Sequence, residues 1–546
     1  MHREVEHMQR KFIKKAFALM LAMLLLIGLL PTGTVLAANR SSEVSFRDIE
    51  NTYDLNDLIL DSAVSEDTTA QESNLPTNEN GEIRVSIVMD AESALEHWNW
   101  DTKSVSSNSE IAFYRSSLLN EQVSMQSRIT RVIGRKLDVA WNMTLAANAI
   151  SAWIMPDEMD EISQLPGVKA IVPETKYEPC VVAESSSAQP AMATSSTMIG
   201  ASAAWSANYT GAGQRIAIID TGLDTDHQSV DESAFLYAVK QDGNVDLMDQ
   251  LDIASVLSEL NIYKGYANST GQIIADKSLT ADKLYVSAKI PFGYNYADRS
   301  LYLTHDNDEQ SGHGSHVAGI AAGNRYIPDG NGGYASALDT VFTQGVAPDA
   351  QLIVMKVFGV SGGGYTSDMI VAVEDALVLG CDAINMSMGS NVAGFTDASL
   401  YTEVFNRLEQ SNTVISISAG NNGAWANNTS HGYLYAEDIN LQTAAEPGTH
   451  NAALTVASVE NDGMIGKTFT IGENKTLYSE IQQYGRPNLL GSLDTSADGN
   501  GTELEYVHLN AYGNDYNYDD IDVMGKVVFV SRGNNLTFSQ IHSTAA

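Results

Sequence analysis

Between Arg215 and Gly420 short, continuously apolar runs alternate with longer helical ones, and no other feature of the sequence constrains the fold as much. RIAIID (215–220), QLIVMKVF (351–358), DAINMSM (382–388) and TVISISAG (413–420) are apolar on both sides rather than every second residue. Runs of this kind suit strands buried on both faces, as in a parallel sheet. HVAGIAAG (316–323), DMIVAVEDALVLG (368–380) and a stretch through Leu400, Val404 and Leu408 read as the intervening helices, with Asp368 placed to cap the second. The alternation predicts an α/β fold, a parallel sheet with helices on both faces. Ligands meet such sheets at the carboxyl ends of the strands, where Asp220, Ser387 and Asn421 fall.

A different pattern precedes this region. EIRVSIVMD (82–90) alternates like a strand, and Ile111, Tyr114, Leu118, Met125, Ile129 and Val132 share a helical face. NAISAWIM (148–155) reads as a strand, PDEMDEISQL (156–165) as a short helix opened by Pro156 and acids, and VKAIVPE (168–174) as a last strand. Residues 82–175 therefore make a small α+β domain. Residues 38–81 are polar, acidic and aperiodic, as expected of a linker. Residues 176–198 include the Ala/Ser-rich AESSSAQPAMATSST, the kind of exposed connection where proteolysis concentrates.

The first 37 residues read as an export signal. Arg10, Lys11, Lys14 and Lys15 precede the apolar run Ala16 to Leu30, and Val35-Leu36-Ala37 offers a small-residue cleavage pattern. No other run has spanning length, so the expected location is outside the cell or on its surface. Lys and Arg number 31 against 68 Asp and Glu, a formal net charge of -37, which excludes nucleic acid and anionic lipid as partners. Cys180 and Cys381 cannot form a disulfide framework; Cys381 sits in an apolar run as a small core residue.

The chemistry centres on His313 in GHGSHVAGIAAG, at a helix start, where a rigid backbone can hold an exposed imidazole. Gly312, Gly314 and Ser315 let neighbouring strands come close. Asp220, ending a strand, can orient that imidazole and stabilise its protonated form. Asn421, ending another, can donate an amide N–H to an oxyanion.

GAGQRIAIIDTGLDTDH, SGHGSHVAGIAAG, GVAPDAQLIVMKVF, DAINMSMGS and ISAGNNG, in that order, resemble the subtilisin-like serine proteases. The likeness covers Ile199 to about Val459, the region read as a partial catalytic domain. It implies a secreted serine endopeptidase acting on polypeptides, with Asp220 as orienting acid, His313 as general base and Asn421 as oxyanion donor. It also implies that Gly362, Gly363 and Gly364 form the edge that pairs with substrate backbone. Ser387, Met388 and Gly389 would form a wall of the primary specificity pocket. Residues 82–175 resemble the family's ferredoxin-like inhibitory propeptide, which blocks the cleft until it is cut. FGYNYAD (292–298) is similar to the large cell-envelope proteinases, and residues 460–546 include what resembles the opening of a protease-associated domain.

The chain departs from the family in two places. It has no Gly-Thr-Ser-Met-Ala signature, which would carry the nucleophile, so the serine is expected downstream of residue 546 and the chain alone is expected to be inactive. PGTHNAALTVAS (447–458) has His450 where a serine would be needed, and Thr449 and His450 read as structural. Ser229 stands where many subtilases have a calcium-binding Asp. No cofactor or metal site is assigned from the sequence; calcium could meet Asp306, Asn307, Asp308 and Glu309, although a solvated loop is the simpler reading of that run.

Two rivals remain at this level. GVSGG (359–363) fits an esterase elbow around Ser361, but Gly364, Tyr365 and Thr366 delay the helix and no acid–His pair follows. The other is a non-catalytic surface binding protein on a degenerate subtilase scaffold.

Overall fold

The computed structural model describes residues 76–98, 108–177, 194–264, 266–267, 273–274, 276–306, 308, 312–360, 362–389, 400–409, 411–421, 444–459, 461, 467–471, 474–478, 505–509, 521–524 and 526–531. The export signal, the 38–75 part of the linker, Cys180, Ser361 and the final residues 532–546 lie outside them.

The N-terminal domain is a four-stranded antiparallel sheet under one long helix. Its strands are β1 (Ile83–Met89), β2 (Asp138–Met143), β3 (Ala149–Ile154) and β4 (Val168–Pro173), in the order β2-β3-β1-β4. The helix α1 (Ser109–Ile133) starts at Asn108, whose side chain accepts from the N–H groups of Glu110 and Ile111, and stops at Gly134 in left-handed backbone. Its Met125 and Ile129 pack on Ile83, Val85, Ile87, Ile150 and Ile154, all buried. Sequence periodicity located three of these strands and missed β2. DVAWNM carries Asp and Asn within a short apolar stretch, and only pairing with β3 makes it a strand.

The larger domain is built on a six-stranded sheet that is parallel throughout. Its strands are β6 (Arg215–Asp220), β7 (Phe292–Asn295), β8 (Gln351–Lys356), β10 (Ala383–Met386), β11 (Val414–Ser418) and β12 (Ala453–Val456), in the order β12-β11-β10-β6-β8-β7. β5 (Lys176–Tyr177) and β9 (Gly364–Tyr365) form a separate two-residue antiparallel ladder. β6 and β8 are interior strands, paired on both edges, which is why they read as unbroken apolar runs; β8 is buried along its whole length. The expected α/β architecture stands. β7 and β12 lay in segments that sequence reading assigned only by resemblance.

The helices that matter for function are α2 (His313–Ala322), α3 (Thr366–Val378) and α4 (Leu400–Leu408). All thirteen residues of α3 are buried, because the helix is covered by the sheet on one side and the N-terminal domain on the other. Trp141, Met143 and Leu145 join Met369, Ile370 and Val373 in one apolar cluster. Burial of both flanks leaves this helix no solvent-exposed face, and its Asp368, Glu374 and Asp375 are all bonded inside the protein. Asp368 does not occupy the cap position the sequence suggested. The helix begins two residues earlier, and Asp368 reaches back from its first turn to accept the Tyr365 N–H at 3.0 Å. The strand at Val527–Phe529 pairs in parallel with Tyr506–His508.

Candidate active site

Asp220 is the last residue of β6 and His313 the first of α2, so a strand end and a helix start face each other at the carboxyl edge of the sheet. Asp220 Oδ1 lies 2.7 Å from His313 Nδ1. The carboxylate is 1% exposed, and the imidazole keeps a narrow opening with 12% of its side chain accessible. A carboxylate can only accept, so Nδ1 carries the proton, and in the neutral imidazole Nε2 is then the basic nitrogen. That tautomer suits a general base.

The backbone makes this approach possible. Gly222 has a φ of 103°, and a Cβ there would run into the Leu303 carbonyl. A Cβ at Gly314 would collide with the Gly222 carbonyl and crowd Asp220. Thr221 joins the two elements. Its N–H donates to Asp220 Oδ1 at 2.7 Å, and its Oγ1 accepts from the Gly314 N–H at 2.9 Å. Ser315 Oγ accepts from the Asp224 N–H at 2.7 Å, which ties the loop after β6 to α2.

The remaining residues expected at the site lie at the same end of the sheet. Asn421 follows β11 and is exposed. Ser387 follows β10 and accepts from Asn385 Nδ2 at 2.9 Å. Met388 is buried, and its carbonyl accepts from Ser418 Oγ at 3.2 Å. At Gly389 a side chain would meet Ala445. Gly362 and Gly363 have φ values of 72° and 65° and lead into β9.

That edge is already paired. Gly364 lies opposite Tyr177 and Tyr365 opposite Lys176 in an antiparallel ladder. Residues 176 and 177, which composition placed at the start of the linker, thus form a two-residue strand; the ladder is a long-range contact that composition cannot report. Tyr177 is 1% exposed, packs edge-to-face on Tyr401 and places its hydroxyl 3.4 Å from Glu446 Oε2. Burial and the neighbouring carboxylate push its phenol well above the ordinary range.

A second set of contacts holds the N-terminal domain on α3. Arg84 reaches Asp368 at 2.7 and 3.2 Å and Glu174 at 3.3 Å. The Trp141 indole N–H donates to Asp368 Oδ1 at 2.6 Å. Glu374 Oε1 accepts three consecutive backbone N–H groups, from Leu145, Ala146 and Ala147, at 3.1, 2.6 and 3.1 Å. Every one of these charged groups is buried and partnered, as buried charges must be.

One expectation changes. Asp306 is exposed, but the Asp308 side chain is fully buried and paired with Lys356, so the acidic run is not simply a solvated loop. Asn307 and Glu309 lie outside the described residues, among which no cluster of three acidic, His or Cys side chains could hold a metal. His450 is 5% exposed and stacks on Phe405, a core contact. Cys381 is buried.

The profile of the subtilase family, Peptidase_S8, matches residues 211–544. The chain belongs to the subtilase family. Among similar proteins, the PII-type proteinase of Lacticaseibacillus paracasei is 27% identical over 498 residues, covering 88% of this chain and 22% of that protein. The minor extracellular protease Vpr of Bacillus subtilis is 24% identical over 397 residues, 69% of this chain and 36% of Vpr. This subtilase chain thus spans about a fifth of the length of the PI-, PII- and PIII-type proteinases it matches. Solved structures it resembles include the epidermin leader peptide processing protease EpiP of Staphylococcus aureus, at 16% identity, 68% of each chain and a TM-score of 0.36. Fervidolysin from Fervidobacterium pennivorans gives 14% identity, 74% of this chain, 48% of that one and a TM-score of 0.37.

The sequence pointed to Asp220 and His313 through their positions at a strand end and a helix start. It did not single out Thr221, Lys356, Glu374 or Tyr177. A lysine inside the apolar run QLIVMKVF was the one available signal for Lys356, since a buried ammonium requires partners.

Proposed function

We propose that this subtilase is a secreted serine endopeptidase made as a zymogen, with a nucleophilic serine supplied by sequence following residue 546. The observation that carries the reading is the 2.7 Å contact of buried Asp220 with His313. In this scheme His313 Nε2 takes the serine hydroxyl proton as the oxygen attacks the peptide carbonyl. Asp220 stabilises the imidazolium, which then gives the proton to the leaving amine. Asn421 donates to the oxyanion, a contact whose loss typically costs about a hundred- to a thousandfold in rate. Gly362, Gly363 and Gly364 would pair with substrate backbone beside Ser387, Met388 and Gly389.

The N-terminal domain serves as intramolecular inhibitor in this reading. The antiparallel pairing of Lys176–Tyr177 with Gly364–Tyr365 supports it, because a strand added to that edge occupies the place of an extended substrate. The relatives span far more sequence than this chain, which is consistent with a downstream nucleophile. Among the described residues no helix is long and apolar enough to cross a membrane.

The test is peptide hydrolysis by a version extended downstream through the serine-bearing segment, with and without His313→Ala. Hydrolysis abolished by the substitution supports the reading. Hydrolysis that survives it, or an extended protein with no activity after removal of residues 1–198, overturns it.

A further inference from the structure

A buried lysine ends the strand that pairs with the strand bearing the acid. Lys356 ends β8, next to β6, and its backbone is in register with Asp220. Its side chain is fully buried. The Nζ donates to the Thr221 carbonyl at 2.5 Å and forms an ion pair with the fully buried Asp308, five residues ahead of His313.

These contacts tie one cation to the residue that follows the acid and to the loop that leads to the base. Thr221 is held at three points: by Lys356 on its carbonyl, by Asp220 on its N–H and by Gly314 on its hydroxyl. Asp308 belongs to the loop that leads into α2, so the ion pair joins the strand end bearing the acid to the approach of the helix bearing the base. Asp220 Oδ2 is buried with no hydrogen-bond partner among the described residues. Both donors to this carboxylate, the Thr221 N–H and the His313 ring, bond Oδ1, and charges in such a buried medium are poorly screened.

We infer that Lys356, paired with Asp308, is a positioning residue for the Asp220–His313 pair: it locks the Thr221 turn and sets the electrostatic environment of the imidazole. The inference rests on the dyad being the proton-transfer pair proposed above.

Charge coupling and mere packing predict different things. Among the described residues, the titratable groups on the elements around His313 are Asp220 at the end of β6, Asp224, Asp226 and His227 on the loop after it, His305, Asp306 and Asp308 on the approach loop, His316 on α2, and Lys356 on β8. Removing Lys356 leaves Asp308 uncompensated and favours the imidazolium. Removing the Asp308 charge leaves Lys356 uncompensated and disfavours it. A charge of this kind in a buried site moves an imidazole titration by about half a unit to one unit.

The experiment is a pH titration of the His313 ring by 13Cε1 NMR in the chain as it stands, with the signal assigned by comparison with His313→Asn. Lys356→Met is expected to raise the midpoint and Asp308→Asn to lower it, each by about half a unit to one unit, with the double variant returning close to the parent. Shifts of the same sign, or no shift in either single variant, would overturn the inference. If Lys356→Met does not fold, Asp308→Asn decides alone: a lowered midpoint supports the inference, and an unchanged or raised one overturns it. Because the ring is read directly, a chain lacking peptidase activity can still show the coupling, and an active enzyme can fail to show it.

Discussion

Gly364 stands opposite Tyr177 in an antiparallel ladder, so the segment leaving the N-terminal domain pairs with the short strand that follows β8. The Tyr177 side chain is buried against Tyr401 and Glu446 on the far side of that ladder. Backbone pairing and one deeply buried aromatic therefore act together to hold the edge closed.

Replacing Tyr177 with alanine is expected to open this edge. Deleting a buried aromatic side chain costs about 3 kcal/mol or more. Hydrogen exchange across residues 362–366 should accelerate in Tyr177→Ala while β6 and β8 keep their protection. Unchanged exchange at 362–366 would show that Tyr177 does not hold the edge.

Arg84 bridges Asp368 and Glu174 across the domain boundary, with all three side chains buried. Arg84→Met leaves two carboxylates without their cation. Breaking a buried pair from one side costs about 3–5 kcal/mol, far more than losing an exposed one. Urea unfolding of the variant should show a loss of that order, and a loss under about 1 kcal/mol would mean the pair behaves as a surface bridge.

Asp375, on α3, is pushed up to about 7 by burial, which outweighs the opposing effect of the Asn261 N–H it accepts. In the unfolded chain an aspartate titrates near about 3.9. Between those values the folded protein holds a proton that the unfolded one has released. This group's contribution to stability is therefore present at low pH and lost as pH rises from about 4 to about 7, by up to ~1.4 kcal/mol per unit. Asp375→Asn should flatten that part of the stability–pH profile. A profile equally steep in both proteins would count against a protonated Asp375.

Gly314 is where α2 meets the Gly222 carbonyl, and a methyl group there has no room. Gly314→Ala should push His313 away from Asp220. A misplacement of about 1 Å is enough to cost about a hundredfold in rate. In a version extended through the serine, kcat/KM should fall by at least that factor; near-normal turnover would show that the helix can tolerate the displacement.

The Cys381 thiol is pushed up to about 12 by burial. Alkylation with iodoacetamide at pH 8 should leave the peptide containing Cys381 unmodified in the folded chain and label it after denaturation. Labelling at comparable rates in both states would contradict its placement in the core.

The sequence by itself determined the parallel α/β architecture and the candidate dyad. Doubly buried strands must be continuously apolar, so RIAIID and QLIVMKVF announce an interior position, and a polar residue closing such a run marks the functional end of the sheet. Gly312 and Gly314 around His313 likewise signal a close backbone approach, because a residue without a side chain leaves room for one. Only the tertiary structure decided that DVAWNM is a strand, that Asp308 turns inward to Lys356, that Lys176–Tyr177 completes a ladder with Gly364–Tyr365, and that Glu374 caps the backbone of residues 145–147. Periodicity and local composition report how a segment meets its own neighbours and the solvent. Each of these four features depends on a partner distant in the chain, and the partner is chosen by packing and by the need to satisfy buried charge, neither of which is written in any one stretch of residues.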